Sequence, residues 1–189
     1  MYVEHFDIAG PFAFAAPRHR DARGYFTETF NLSQLRQLGL VESDWVQDNQ
    51  SMSVEAHTLR GMHFQLPPFA QAKIVRVITG RIFDVVVDLR AQSLTYGKWI
   101  GVDLSSDTGN QIYIPTGFAH GFLTLEPNTV VAYKVSNIYS KTHDRSLNWA
   151  DADVAIDWPL PKQATPTLSD KDRDAPMLRS LAVELKEFA

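Results

Sequence analysis

Between Trp45 and Tyr139 the chain is a succession of short β-rich runs broken by turn residues, with almost no helical periodicity. The clearest runs are 73–79, 82–89, 98–104, 111–115, 121–125 and 129–135. Gly80, Gly97, Asp107-Thr108-Gly109-Asn110 and Pro127-Asn128 punctuate them. Six or more strands at this spacing, with no helices between them, point away from βαβ units and toward a sandwich or barrel. We therefore expect an all-β fold, an antiparallel jelly-roll barrel with a few short peripheral helices. The barrel core covers about residues 46–150. An N-terminal arm, about 1–45, carries a turn at 21–24, a strand over 26–30 and a helix near 32–40 that Asn31 or Ser33 would cap. Past Trp149 a tail rich in Asp, Pro and Lys, about 151–189, wraps over the barrel and ends in a short helix over 175–188, where Leu178, Leu181 and Leu185 recur at helical spacing. No internal repeat is visible, and 189 residues suit a single domain.

The period-2 geometry of strands sorts side chains by face. Phe83, Val85, Val87 and Leu89 form a wholly apolar face, which leaves Asp84 and Asp88 together on the other, facing either water or a polar cup. His120 shares a face with Phe122 and Thr124, and Tyr133 with Val131 and Val135. In a regular strand Arg60 and His63 point in opposite directions. A barrel interior that mixes His, Asp and Tyr with apolar neighbours suits a small-molecule site.

Composition narrows the chemistry. The absence of cysteine removes disulfides, thiolate metal sites and cysteine nucleophiles. A net charge of −4 argues against a broad phosphate-neutralising face, so no nucleic-acid partner is expected. No apolar run approaches the ~20 residues of a membrane span, and the start lacks a basic-then-apolar leader, so no membrane association and a cytoplasmic location are expected.

His120 lies in Pro115-x-Gly117-x-x-His120, a spacing similar to the second motif of the cupin barrels, where such a His often binds a divalent ion. Metal-binding cupins supply His-x-His and a nearby Glu earlier in the chain. Here the segment reads His63-Phe64-Gln65, and the next Glu is Glu126. Two of the usual four ligands are missing, so no metal is expected. Without a metal, His63 can serve as a base, since imidazole titrates near 6.5. It needs a carboxylate to hold its ring, and Asp170 or Asp172 can reach it if the tail closes over the barrel. Lys73 can stabilise an oxygen that becomes an enolate, and Tyr133 has a proton to return. If His63 and Tyr133 flank a bound ring, removal from one face and return on the other inverts a stereocentre next to a ketone, with no redox cofactor. A hydrogen-bonded structural His, a packing Tyr and a solvated Lys are the plain readings of the same residues. Spacing alone leaves epimerisation one reading among several.

Seven runs in order resemble one family: residues 21–28 (DARGYFTE), 47–51 (QDNQS), 59–65 (LRGMHFQ), 71–73 (QAK), 83–90 (FDVVVDLR), 115–122 (PTGFAHGF) and 168–172 (LSDKD). The chain resembles the dTDP-4-dehydrorhamnose 3,5-epimerases. The resemblance implies a metal-free, cofactor-free cupin-type barrel that forms a homodimer with exchanged N-terminal strands. It implies that His63 is the general base supported by Asp172, that Tyr133 is the general acid on the opposite face, and that Lys73 holds the C4 oxygen. His120 is similar to a substrate-contacting residue tied to Asp84. Arg23, Glu28, Gln47, Asn49, Arg60 and Lys171 resemble the residues that hold the nucleotide, and bidentate phosphate contact gives Arg23 and Arg60 a physical reason as well. Asp144 stands where members can carry Glu near the nucleotide. Ile138 stands where an aromatic residue can occur, which implies that base stacking is weaker here or is supplied elsewhere. The expected reaction is inversion at C3 and C5 of a dTDP-sugar substrate, dTDP-4-dehydro-6-deoxy-D-glucose, to give dTDP-4-dehydro-L-rhamnose. The alternatives are a mono-epimerase acting at C3 or C5 alone, a non-catalytic sugar-nucleotide-binding cupin, and a metal-dependent oxygenase.

Overall fold

Two antiparallel sheets face each other across an apolar interior. The computed structural model of the chain describes residues 2–42 and 44–188. Its strands are β1 (Tyr2–His5), β2 (Phe12–Ala15), β3 (His19–Asp21), β4 (Gly24–Phe26), β5 (Gln47–Ser53), β6 (Leu59–Gln65), β7 (Lys73–Thr79), β8 (Arg81–Asp88), β9 (Trp99–Ser105), β10 (Asn110–Ile114), β11 (Phe118–Thr124), β12 (Thr129–Val135) and β13 (Asp144–Ser146). The larger sheet has the order β1-β2-β10-β7-β12-β5 and the smaller β13-β6-β11-β8-β9, while β3 and β4 form a separate hairpin. Sequence neighbours repeatedly fall in different sheets, which is the jelly-roll pattern expected from the spacing of the runs.

Burial follows the alternation. Val75, Val77, Ile112, Ile114 and Val131 of the larger sheet meet Ile82, Val86, Leu104, Phe118 and Phe122 of the smaller one in the interior. The opposite face of the smaller sheet, including Val85, Val87, Leu89 and Leu123, is covered by Trp158, Leu178, Leu181 and Leu185 of the tail. The outer face of the larger sheet buries Phe12, Phe14, Ile74 and Tyr113 beneath Leu35 of helix α1 (Leu32–Gln37). Asn31 caps α1 by accepting a hydrogen bond from the Gln34 amide, as its short polar side chain at the helix start allows. The smaller sheet is thus covered on both faces, which is why β11 is buried throughout.

The tail is tied to the barrel by backbone as well as by packing. Thr167 forms a parallel bridge with Thr58, and its carbonyl accepts from the Leu59 amide at 3.0 Å. That contact delivers the next residues to the barrel mouth, where helix α2 (Asp170–Arg173) forms a single turn capped by Ser169. The motif at 168–172, read from sequence as loop, is therefore partly helical. The helix expected over 175–188 is two pieces, α3 (Leu178–Leu181) and a 3₁₀ turn at Glu184–Phe188. Splitting the segment still lets Leu178, Leu181 and Leu185 all reach the sheet. In the arm, the strand expected over 26–30 lies earlier, as β4, where it pairs with β3 across the turn. Among the described residues no helix is long and apolar enough to cross a membrane.

Candidate active site

A cavity of about 560 Å³ opens at one end of the interior and is lined from both sheets and from the tail. The smaller sheet contributes Arg60 and His63 from β6 and His120 from β11. The larger sheet contributes Gln47 and Asn49 from β5, Lys73 from β7 and Tyr133 from β12, and the tail adds Lys171 and Asp172.

Arg60 and His63 were expected on opposite faces, yet both line the cavity. The cause is a bulge. His63 pairs with His120 and Arg60 with Phe122, so three steps along β6 oppose two along β11. The extra residue inverts the alternation and leaves Leu59, Met62 and Phe64 together in the outer core. Two glycines make the close approach possible: a Cβ on Gly61 would lie 2.5 Å from the Gly121 Cα, and one on Gly121 would lie 2.8 Å from the Arg60 carbonyl oxygen.

His63 Nε2 lies 2.6 Å from Asp172 Oδ1. This contact fixes the ring and leaves Nδ1 for a ligand in the cavity. Burial pushes the Asp172 carboxyl upward, but hydrogen bonds from His63, Ser169 and the Gly61 amide outweigh it and hold the group below its ordinary value. Asp172 is thereby kept as the anion that an imidazolium needs beside it.

The Lys73 side chain reaches from the larger sheet to the facing one, where its ammonium donates to the His63 carbonyl oxygen at 3.2 Å. Burial drives its pKa down from 10.5 to about 8, a shift only partly opposed by Asp84 and Asp144. Behind it, His120 Nε2 lies 2.8 Å from Asp84 Oδ2 with both side chains buried. The face carrying Asp84 and Asp88 is thus a polar strip inside the barrel and not a wet surface. Burial lowers the His120 pKa more than Asp84 raises it, which favours the neutral ring. Asp88 is turned to Arg90, Ser93 and Thr95, away from the cavity residues. Tyr133 is partly buried, and desolvation raises its pKa, so the phenol keeps its proton at neutral pH.

The cations have capacity to spare. Arg60 uses Nε on Ser53 Oγ and Nη2 on the Met52 carbonyl, which leaves further N–H groups of its five for a ligand. Lys171 Nζ sits 2.5 Å from Asp144 Oδ2, so the shorter carboxylate still reaches the lysine of the tail. Among the described residues no three of His, Asp and Glu converge as a metal-ligating group.

The model of the dTDP-4-dehydrorhamnose 3,5-epimerase family matches residues 5–180. The chain belongs to this family. It is 45% identical over 186 residues to the dTDP-4-dehydrorhamnose 3,5-epimerase of Sinorhizobium fredii, covering 98% of this chain and 94% of the relative. The solved Bacillus anthracis enzyme with TDP and PPi bound is 44% identical and superimposes with a TM-score of 0.87, over 93% of this chain and 99% of that one. The Legionella pneumophila dTDP-6-deoxy-D-glucose-3,5-epimerase, solved with dTDP-4-keto-L-rhamnose, is 38% identical with a TM-score of 0.90, over 97% and 96% of the two chains.

Two site residues inferred from the family resemblance do not reach the cavity of their own chain. Arg23 stands at the β3–β4 turn, 89% exposed and bonded to Asp21, while Glu28 accepts from Asn31 and Gln34. Conversely, an aromatic residue was overlooked. Ile138 is exposed, but its neighbour Tyr139 lines the cavity and donates to Asp144 at 3.2 Å. An aromatic ring thus borders the cavity one residue after Ile138. Only its position in an irregular loop, where no alternation applies, concealed it.

Proposed function

We propose that this protein inverts C3 and C5 of dTDP-4-dehydro-6-deoxy-D-glucose, giving dTDP-4-dehydro-L-rhamnose. The observation that carries the reading is the position of His63 and Tyr133 on facing sheets of one cavity, with the Lys73 ammonium spanning from one sheet toward the other. His63 Nδ1 takes the proton from a carbon next to the C4 ketone. The electron pair of that C–H bond becomes the enolate, whose oxygen is held by Lys73. Tyr133 then gives its proton to the same carbon from the opposite face, and exchange with solvent restores both groups. C3 and C5 both flank C4, so a second round at the other carbon uses the same three residues after the ring turns. His120, kept neutral and oriented by Asp84, contacts the sugar.

Arg60 and Lys171 meet the diphosphate, and Gln47, Asn49 and Asp144 border the nucleotide end. The functional unit in this reading is a homodimer with exchanged N-terminal strands, in which Arg23 and Glu28 serve the partner's cavity. Support comes from their distance from their own cavity, from the position of β1 at a sheet edge, and from Tyr25 and Phe26 of the hairpin, whose rings are exposed. The reading places the enzyme in the cytoplasm.

Incubation of the chelator-treated protein with dTDP-4-dehydro-6-deoxy-D-glucose in deuterated water, followed by NMR, tests the reaction. Deuterium at both C3 and C5 with inverted configuration is the expected result. Deuterium at one carbon alone would make it a mono-epimerase, and none at either carbon, with dTDP still bound, a binding protein.

A further inference from the structure

We infer that Gln65 is a positioning residue that clamps the loop at the nucleotide end of the cavity and sets Tyr139 and Asp144 for binding; the inference rests on the proposed function. Gln65 is buried, and its side-chain nitrogen donates to two carbonyls, those of Phe69 at 2.6 Å and Ile138 at 3.1 Å. Its side-chain oxygen accepts from the Ser140 amide at 2.7 Å. The amide orientation is unambiguous, because two partners can only accept and the third can only donate. Both N–H donors are consumed by protein, so Gln65 has none to offer a substrate.

These bonds bracket Tyr139 on its two sides in sequence. The backbone of Gln65 does the rest, since it pairs with Asp144 across β6 and β13. Gln65 therefore holds the residues on either side of Tyr139 and the strand position of Asp144, through which it borders the Lys171 contact, while the Tyr139 amide donates to Gln47 Oε1 at 3.2 Å. Gln71 and Asn137 reinforce the same junction through bonds to the Asn137 and Pro68 carbonyls. In His63-x-Gln65, the position that would be the second His of a metal-binding cupin has become a loop clamp. The base and the nucleotide wall are thereby set by two residues of one strand.

The test is Gln65→Met, which keeps the volume but removes all three side-chain hydrogen bonds. Its readouts are amide hydrogen exchange over residues 137–144 and steady-state kinetics on dTDP-4-dehydro-6-deoxy-D-glucose. Ile82→Val, a core-thinning change in the barrel interior, serves as the control for lost stability. We expect faster exchange confined to 137–144 and a KM raised on the order of tenfold with kcat within about twofold, the pattern of lost uniform binding. The control should show neither. Unchanged exchange over 137–144, or kcat and KM no different from the control, would overturn the inference. If Gln65→Met does not fold, Gln65→Glu, which keeps the acceptor for Ser140 and loses both donors, carries the same test. A wild-type protein that fails to turn over the sugar would sink the proposed reaction instead; hydrogen exchange, with calorimetric dTDP affinity of the two variants, would then decide the clamp.

Discussion

Replacing His63 by Ala is expected to lower kcat by about 10³-fold, within the range that a positioned general base contributes, while dTDP affinity stays within about twofold of wild type. The separation follows from the cavity's layout. His63 stands on β6 beside the proposed sugar position, and the proposed nucleotide contacts are carried by Arg60, Lys171 and the β5 residues. The ring is held through Nε2 by a buried carboxylate, so the loss removes a base already in place and not a mobile surface histidine. The variant also leaves Asp172 with only the Ser169 and Gly61 donors, and its Tm should fall. His63→Asn shares the kinetic loss, because an amide cannot take the proton. Steady-state kinetics and titration calorimetry with dTDP check both halves. Retained turnover would remove His63 as the base.

Lys73→Met is expected to stabilise the fold while lowering kcat by about 10²–10³-fold, the scale of a lost oxyanion donor. Lys73 is a charge held in a poorly solvated place, and the drop of its pKa from 10.5 to about 8 corresponds to about 3 kcal/mol of penalty on the charged form. The sign sets the pH dependence. Below about pH 8 both folded and unfolded chains hold the proton, and the full penalty is present. Between about 8 and 10.5 the unfolded chain binds the proton that the folded chain has released, so this group's contribution makes stability rise with pH through that window. Wild-type melts should show this rise, and Lys73→Met should lack it while starting from a higher Tm at neutral pH. Activity runs the other way. The enolate needs a charged lysine, so kcat/KM should fall as pH passes about 8, well below the ordinary lysine range. Stability traded for function at a buried cation is the pattern expected of an active site. A variant that melts lower than wild type at every pH would show instead that Lys73 contributes net stability.

How much of this was legible in the chain depends on the kind of evidence each feature needs. Strands β7 and β12 coincide with the runs read from sequence, because Gly80 ends the first and Pro127-Asn128 precede the second, and in β12 the buried residues alternate. The same alternation correctly put His120 and Tyr133 with interior neighbours. It failed at Arg60 and His63, since one extra residue in β6 inverts the faces and period-2 counting has no signal for a bulge. The Gly61 in that run was the available hint, as a glycine inside a strand often marks a bulge or a close backbone approach. The choice between Asp170 and Asp172 was open on spacing alone, because 109 residues separate His63 from Asp172 and only the closure of the tail brings them together. Tyr139 lay beyond any periodic argument, its place being set by a loop clamped from a neighbouring strand.

The most direct test of the two-face mechanism is Tyr133→Phe in deuterated water, with solvent exchange and inversion at C3 and C5 measured separately by NMR. If His63 removes the proton and Tyr133 returns it from the opposite sheet, exchange at both carbons should persist in this variant, because the imidazolium can return deuterium to the face it came from, while inversion falls at least about tenfold for want of the opposite-face acid. Inversion continuing at the wild-type rate, or exchange and inversion disappearing together, would contradict the assignment of acid and base to facing sheets.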